Sequence, residues 1–278
     1  MRIRKSSGEY QIFQPEKFIQ SLQNSGVPGT VARGLAEEIS LKPKLHKSTQ
    51  AIFSYAKSRL AQLNTKQAMR YGLKRAIMNL GPTGFPFEQY VARLLSALGY
   101  SVQTDQYVRG FCVSHEVDIL ARKNGQLHLF ECKYHNRRGM KTDVKVALYI
   151  KARFDDIGKA FQAKEDEQRL APKKHVQHAW LVTNTKCTTE AMKYARCANV
   201  HILSWGHPAD QSLQKLIEQT KVYPITILMS LDSSMKSKLF RIGVVTIQEL
   251  LTLTDMHGFT TQERKRIQEL QQQAKLLK

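Results

Sequence analysis

Acidic residues are scarce in this 278-residue chain: 23 Asp and Glu stand against 43 Lys and Arg, a formal charge of +20. A deficit of that size points to a polyanionic partner. It is steepest at the start, with 14 basic and 4 acidic residues in 1–82, then 19 and 12 in 83–206, and 10 and 7 in 207–278. Cysteine is sparse too. Cys112, Cys132, Cys187 and Cys197 form no CxxC pair, and no Cys/His cluster has zinc spacing, which argues against a disulfide framework and a structural zinc. No secretory segment and no apolar run near the length of a membrane helix is present, so a soluble, cytoplasmic protein with no membrane partner is expected. Internal repeats are also lacking, and the length divides into two or three ordinary domains.

The most informative stretch is 115–134. Two runs rich in apolar and β-branched residues flank Asn124 and Gly125, the strongest short signal for a two-residue type I′ hairpin. That turn sets Lys123 opposite Gln126, Leu120 opposite Leu129 and Asp118 opposite Glu131. Residues opposed or two apart share a face, so Asp118, Glu131 and Lys133 project together. The neighbours are apolar on both sides, Leu120, Leu127 and Leu129 on one and Val117, Ile119, Ala121, Phe130 and Cys132 on the other, as in a sheet covered on both faces. Two carboxylates at the end of such a buried hairpin repel unless a cation lies between them, and a hard, oxygen-seeking ion such as Mg²⁺ would fit. The same register sets Lys133 opposite Glu116, so a plain cross-strand ion pair is the alternative for that lysine.

Asp118, twelve intervening residues, then Glu131, Cys132 and Lys133 resembles the core of the PD-(D/E)xK nucleases, and more narrowly the Mrr-type restriction endonucleases and archaeal Holliday-junction resolvases. In that family a glutamate-bearing helix precedes the motif; Gly84 to Val91 supplies one here, with Glu88. A strand at 178–184 ending in Thr183 and Asn184, a helix over 188–198 with Glu190 and Ala191, and a short strand over 200–204 extend the resemblance to about residues 83–206. It implies Glu88, Asp118, Glu131 and Lys133 as catalytic residues. It also implies a Mg²⁺ or Mn²⁺ ion on Asp118, Glu131 and the Cys132 carbonyl, with double-stranded or branched DNA as substrate. Arg137, Arg138, Lys141 and Lys145 follow directly and suit phosphate steering.

Residues 1–82 read as a short hairpin (1–5 with 10–13) and helices over 16–24, 31–41, 49–62 and 65–80, with Ser48 and Asn64 as N-caps. Ile3 to Gly8, Phe13 to Phe18 and Met69 to Lys74 resemble an ATP-cone. That resemblance implies ATP or dATP as effector, held by Lys5 and Lys17; the alternatives are that these lysines are merely solvated, or that the basic module grips DNA backbone instead. Ser6 and Gln14 depart from the family pattern. Gly81, Pro82, Thr83 and Gly84 read as a linker. A long helix is predicted over 145–168, with Val146, Ile150, Phe154, Ile157 and Phe161 as its apolar stripe. The tail from Asp210 reads as helical and loosely resembles helix–hairpin–helix modules, with a packing or dimerisation domain as the equal alternative.

The expectation is therefore an α/β protein in three parts. These are an ATP-cone-like module (1–82), a restriction-endonuclease-like mixed sheet flanked by helices (83–206) and a small helical tail (207–278). Its expected function is Mg²⁺-dependent DNA cleavage in restriction or defence, by a homo-oligomer. Junction or repair cleavage is the enzymatic alternative, and a non-catalytic nucleotide-sensing DNA-binding regulator the other.

Overall fold

Asn124 and Gly125 both adopt positive φ, +51° and +78°, as a type I′ turn requires. The turn joins β4 (Ser114–Lys123) to β5 (Gln126–Lys133), whose ladder runs from Lys123 opposite Gln126 to Ile119 opposite Phe130, in the predicted register. A computed structural model of the chain describes residues 2–4, 8–42, 48–168 and 176–278. Before the hairpin come β1 (Arg2–Arg4), β2 (Tyr10–Ile12), α1 (Pro15–Gln23), α2 (Gly29–Ser40), α3 (Thr49–Leu63), α4 (Thr65–Tyr71), α5 (Leu73–Met78), α6 (Phe85–Ala97) and β3 (Ser101–Arg109). After it come β6 (Lys141–Thr142), α7 (Val144–Gln168), β7 (Val176–Thr183), β8 (Lys186–Cys187), α8 (Thr189–Cys197) and β9 (Val200–Leu203). The helices α9 (Leu213–Thr220), α10 (Ser233–Arg241), α11 (Ile247–Thr252) and α12 (Thr261–Lys275) end the chain.

The central sheet has the order β3-β4-β5-β7-β9, antiparallel through β5 and parallel beyond it. Mixed pairing follows from the connections: a two-residue turn can only reverse the chain, whereas α7 and α8 carry it back to the same end. Both faces are covered. Ile119, Ala121, Phe130 and Cys132 pack with Phe87, Tyr90 and Val91 of α6. Leu127 and Leu129 pack with Ile157 of α7, beside Leu120 and Phe154. Val117 joins this second group, not the one its alternation predicted.

Ser48 and Asn64 cap α3 and α4 as expected, their side chains accepting the N–H of Ala51 and Gln67 at 3.1 Å. The single helix expected over 65–80 is instead two, α4 and α5, divided at Gly72. Glycine there is a poor helix former, and a Cβ would meet the Met69 carbonyl at 3.1 Å and Lys57 Nζ at 3.2 Å. A small N-terminal core gathers Ile3, Phe18, Leu22, Ile39, Ile52 and Leu60. Met69, Leu73 and Ile77 belong elsewhere. They join one large core with α6, one face of the sheet, and Leu213, Ile225, Leu239, Leu250 and Leu270 of the tail. Across that core the Tyr90 hydroxyl donates to the Val222 carbonyl at 2.6 Å. The stretch read as a linker is pinned, since the Gly81 N–H donates to the Tyr134 hydroxyl at 2.8 Å. Among the described residues no helix is long and apolar enough to cross a membrane.

Candidate active site

The β4–β5 ladder stops at Ile119 and Phe130, and a side chain takes over from it. The Cys132 N–H donates to Asp118 Oδ2 at 2.7 Å, which fixes the aspartate beside the start of the Glu131–Lys133 segment. Beyond that point β5 is held from its other side: Glu131, Cys132 and Lys133 pair with Leu181, Val182 and Thr183 of β7. Fully buried Asn184 accepts the His135 N–H at 2.9 Å and donates to the His135 carbonyl at 2.8 Å. His135 Nε2 lies 2.9 Å from the Thr142 hydroxyl, which donates to Thr183 at 3.2 Å. The strand end that carries Glu131 and Lys133 is therefore clamped on both sides of the lysine.

Glu88 reaches the group from the first turn of α6. Its Oε1 would lie 2.8 Å from a Cβ at Gly84, so the glycine gives the carboxylate its room. Burial, then the negative charges of Asp118, Asp105 and Glu116, push the Glu88 pKa up to about 7. Burial and Asp118 likewise push Glu131 up to about 7, against the pull of Arg153. For Asp118 burial again leads the upward shift, partly offset by the Cys132 N–H and by Arg153. Mutual influence of this kind requires proximity. The structure thus brings Glu88, Asp118 and Glu131 together as a group of acids that resist ionising at once.

Lys133 is exposed, and among the described residues it makes no ion pair. Glu116, the partner that an unbroken register would give it, instead lies opposite Tyr107 of β3. The plain ion-pair alternative fails because the ladder ends before reaching those two residues. The Cys132 side chain points into the core, where burial holds its thiol well above the usual range, so only its backbone carbonyl remains as a possible ligand.

Sequence reasoning missed Arg153. This buried arginine of α7 ion-pairs with Glu131 through Nη1, donates through Nη2 to the Tyr149 hydroxyl, and lies over the Tyr149 ring at 4.5 Å. Its Nε has no partner among the described residues. The signal was present: position 153 falls on the apolar stripe between Ile150 and Ile157, and a cation there must meet an anion. Asp105 and Glu116 were missed as further acids near the group; Asp105 also has φ of +54°, in line with Asp118 on the neighbouring strand.

His115 and His128 are engaged elsewhere. His115 Nε2 meets Asp156 at 2.7 Å, and buried His128 accepts from Trp180 Nε1 at 3.2 Å. Lys17 is exposed on α1, and Lys5 lies outside the described residues. Beside the acids a cleft of about 420 Å³ is lined by Pro82, Gly84, Lys133, His135, Arg137 and Met140.

Comparison with known proteins matches the sequence to two families. Residues 82–207 match the restriction endonuclease family Mrr_cat, and residues 223–277 match the family described as AF1548-like, C-terminal. An uncharacterized protein of Archaeoglobus fulgidus is 34% identical over 163 residues, 58% of this chain and 84% of that protein. The crystal structure of the protein of unknown function AF1548 superposes with a TM-score of 0.57 at 30% identity, covering 69% of this chain and 97% of that one. Can2 from Sulfobacillus thermosulfidooxidans, in complex with cyclic tetra-adenylate, gives a TM-score of only 0.34 at 15% identity over 74% of this chain and 55% of that one, too low to bear on function. With its Mrr-type sheet and the tail packed against it, the chain belongs to the AF1548-like family, whose catalytic unit here is a restriction-endonuclease domain.

Proposed function

We propose that the protein is a divalent-metal-dependent endonuclease that hydrolyses phosphodiester bonds in DNA, with Asp118, Glu131, Lys133 and Glu88 as its working residues. The observation that carries this reading is the trio of half-buried acids, Glu88 and Glu131 each raised to about 7 by burial and then by Asp118, beside an exposed lysine on the same strand end that has no ion pair among the described residues. Carboxylates held together against their own repulsion fit a hard cation between them. Among the described residues no three His, Cys, Asp or Glu side chains already form a metal cage. The donor set that fits is smaller: the free oxygens of Asp118 and Glu131 with the Cys132 carbonyl, the rest left to water and phosphate as Mg²⁺ prefers.

A bound Mg²⁺ or Mn²⁺ would supply Lewis acidity toward water and phosphate. The chain's own groups do the remaining work. Lys133 places a positive charge where a non-bridging phosphate oxygen would lie, stabilising charge as it builds at phosphorus. Glu88, raised to about 7, is split between its two protonation states near neutrality and so can hold or release a proton at the edge of the site. Arg153 holds the Glu131 carboxylate through Oε2. The excess of basic residues, the cleft leading away from Lys133 and the family domain all favour a nucleic-acid substrate. Restriction or another defence role suits such a nuclease.

Incubation of the purified chain with methylated, unmethylated and branched DNA, with Mg²⁺ or with EDTA, tests the reading. Cleavage of at least one substrate that EDTA abolishes is expected; intact DNA throughout would sink it. Regulation by ATP or dATP through Lys5 and Lys17 is a separate proposal, carried by the ATP-cone resemblance, and calorimetry on the full chain with Lys17→Ala as control tests it.

A further inference from the structure

A second like-charged cluster lies where the N-terminal helices meet the catalytic domain. Lys57 comes from α3, Lys74 and Arg75 from α5, Arg138 from the loop after β5, and Lys186 from β8. Arg75 Nη2 and Arg138 Nη1 both donate to the same oxygen, Gln50 Oε1, at 2.8 and 2.6 Å, so guanidinium groups from α5 and from the loop after β5 converge on one neutral acceptor of α3. Lys74 feels Lys186 and Arg138, and Lys57 feels Arg75. Burial together with these like neighbours lowers the pKa of Lys57 and Lys74, and takes Arg75 down to about 10. None of the five makes an ion pair among the described residues. A folded protein gathers unpaired cations against repulsion where an anion is to be bound.

The surroundings specify which anion. Arg138 and Lys186 are open to solvent, and Lys74 reaches it past the close-packed neighbours that lower its pKa, so the cluster forms the wall of a surface and not a closed chamber. Among the described residues, the aromatic rings that these cations touch are already covered. Phe53 is stacked by Tyr71 at 4.8 Å, and the Arg75 guanidinium lies 3.1 Å from the Phe53 ring centroid. Lys74 lies over the ring of the buried Trp205 at 5.8 Å. The site therefore offers charge and guanidinium donors without a stacking platform, which suits a phosphodiester backbone and not a nucleotide read by its base. Arg138 is also five residues past Lys133, and Arg137 beside it lines the cleft that begins at that lysine.

We propose that Lys57, Lys74, Arg75, Arg138 and Lys186 form a backbone-phosphate site for the DNA on which the catalytic domain acts. The N-terminal helices and the loop after β5 together grip the duplex one step away from the acids. This assignment rests on the nuclease reading for its choice of ligand, and it makes the N-terminal module part of the substrate-binding surface. Contacts to phosphate fix position without reading sequence, so the grip is equal for all sequences.

The test is duplex affinity of the full chain in EDTA, measured by fluorescence anisotropy over a series of salt concentrations. The wild type is compared with Lys74→Gln/Arg138→Gln and, separately, with Lys186→Gln. Removing two phosphate contacts is expected to weaken binding about tenfold or more at moderate salt and to make the slope of log affinity against log salt shallower by about 2; the single variant should change it by about 1. An unchanged slope and affinity in variants that keep the wild-type melting temperature would overturn the assignment. So would saturable ATP binding that the double variant loses while its duplex binding stays at the wild-type level. Mg²⁺-dependent cleavage is measured on the same preparations. Wild-type protein that does not cleave but shows the expected change in slope would sink the nuclease reading alone.

Discussion

The two charged clusters of this protein are opposites in sign and alike in design. At the sheet end burial, and then the charge of Asp118, raise the pKa of Glu88 and Glu131; at the seam burial, and then like-charged neighbours, lower Lys57, Lys74 and Arg75. The difference lies in the scaffolding. Each acid is fixed by a specific partner or by a specific space: the Cys132 N–H for Asp118, Arg153 for Glu131, Gly84 for Glu88. The cations sit on long side chains, with one shared glutamine oxygen among them. A site for a small, hard ion needs positions held to a fraction of an ångström, whereas a site for a polymer backbone needs only charge of the right sign along a surface. Substitutions in the first should therefore act on chemistry and folding, and substitutions in the second on salt-dependent affinity.

The sharpest way to break the comparison is at Asp118. Asp118→Asn keeps an oxygen for the Cys132 N–H and removes the charge, so cleavage should fall by roughly 10³-fold or more. Folding stability, followed by urea denaturation, should stay within about 1 kcal/mol of wild type or rise. Asp118→Ala is the poorer probe, because it leaves that amide without its acceptor. Second in size is Lys133→Ala, expected to reduce the single-turnover rate roughly 10²-fold with little change in duplex affinity. Near-normal cleavage by that variant would remove Lys133 from the chemistry.

Arg153→Gln comes third and reads stability. Without its cation, Glu131 stays ionised in a buried place above neutrality but can protonate below it. The variant should therefore cost roughly 2 kcal/mol at pH 8 and clearly less at pH 5. Equal losses at both pH values would make Arg153 a packing residue only. The smallest effect is expected at Glu88. Its folded pKa, about 7, lies above the ordinary 4.5, so the folded state gains relative stability below pH 4.5 and loses it as pH rises toward 7. Glu88→Gln removes that loss, and metal-free protein carrying it should gain on the order of 1 kcal/mol over wild type between pH 5 and pH 8, a figure reduced for the group's partial exposure. Saturating Mg²⁺ should close the gap.

How much of this was legible depended on the range of the signal. Asn124 and Gly125 fix a register over ten residues, and that local rule alone set Asp118, Glu131 and Lys133 on one strand end. Glu88 came from the motif that precedes the hairpin in related sequences. Arg153 was half visible, a cation on an apolar helical stripe whose partner lay 22 residues away on another element. The seam was not visible at all, since its members meet only after α3, α5, the loop after β5 and β8 have packed. Val117 shows the limit of pure alternation: it packs with Leu127 and Leu129 despite its spacing from Ile119. The helix over 65–80 failed at Gly72, where propensity alone argued for a break.

The bond from Tyr90 to the Val222 carbonyl spans 132 residues of chain. A ribosome adding about 5–20 residues per second needs on the order of ten seconds to travel from one to the other. Through that interval α6, which carries Glu88, lacks the tail that covers its outer face, and the acid group is not yet supported from behind. A nascent chain therefore carries Glu88, Asp118 and Glu131 well before the tail packs behind α6, so the acid group is completed only late in synthesis.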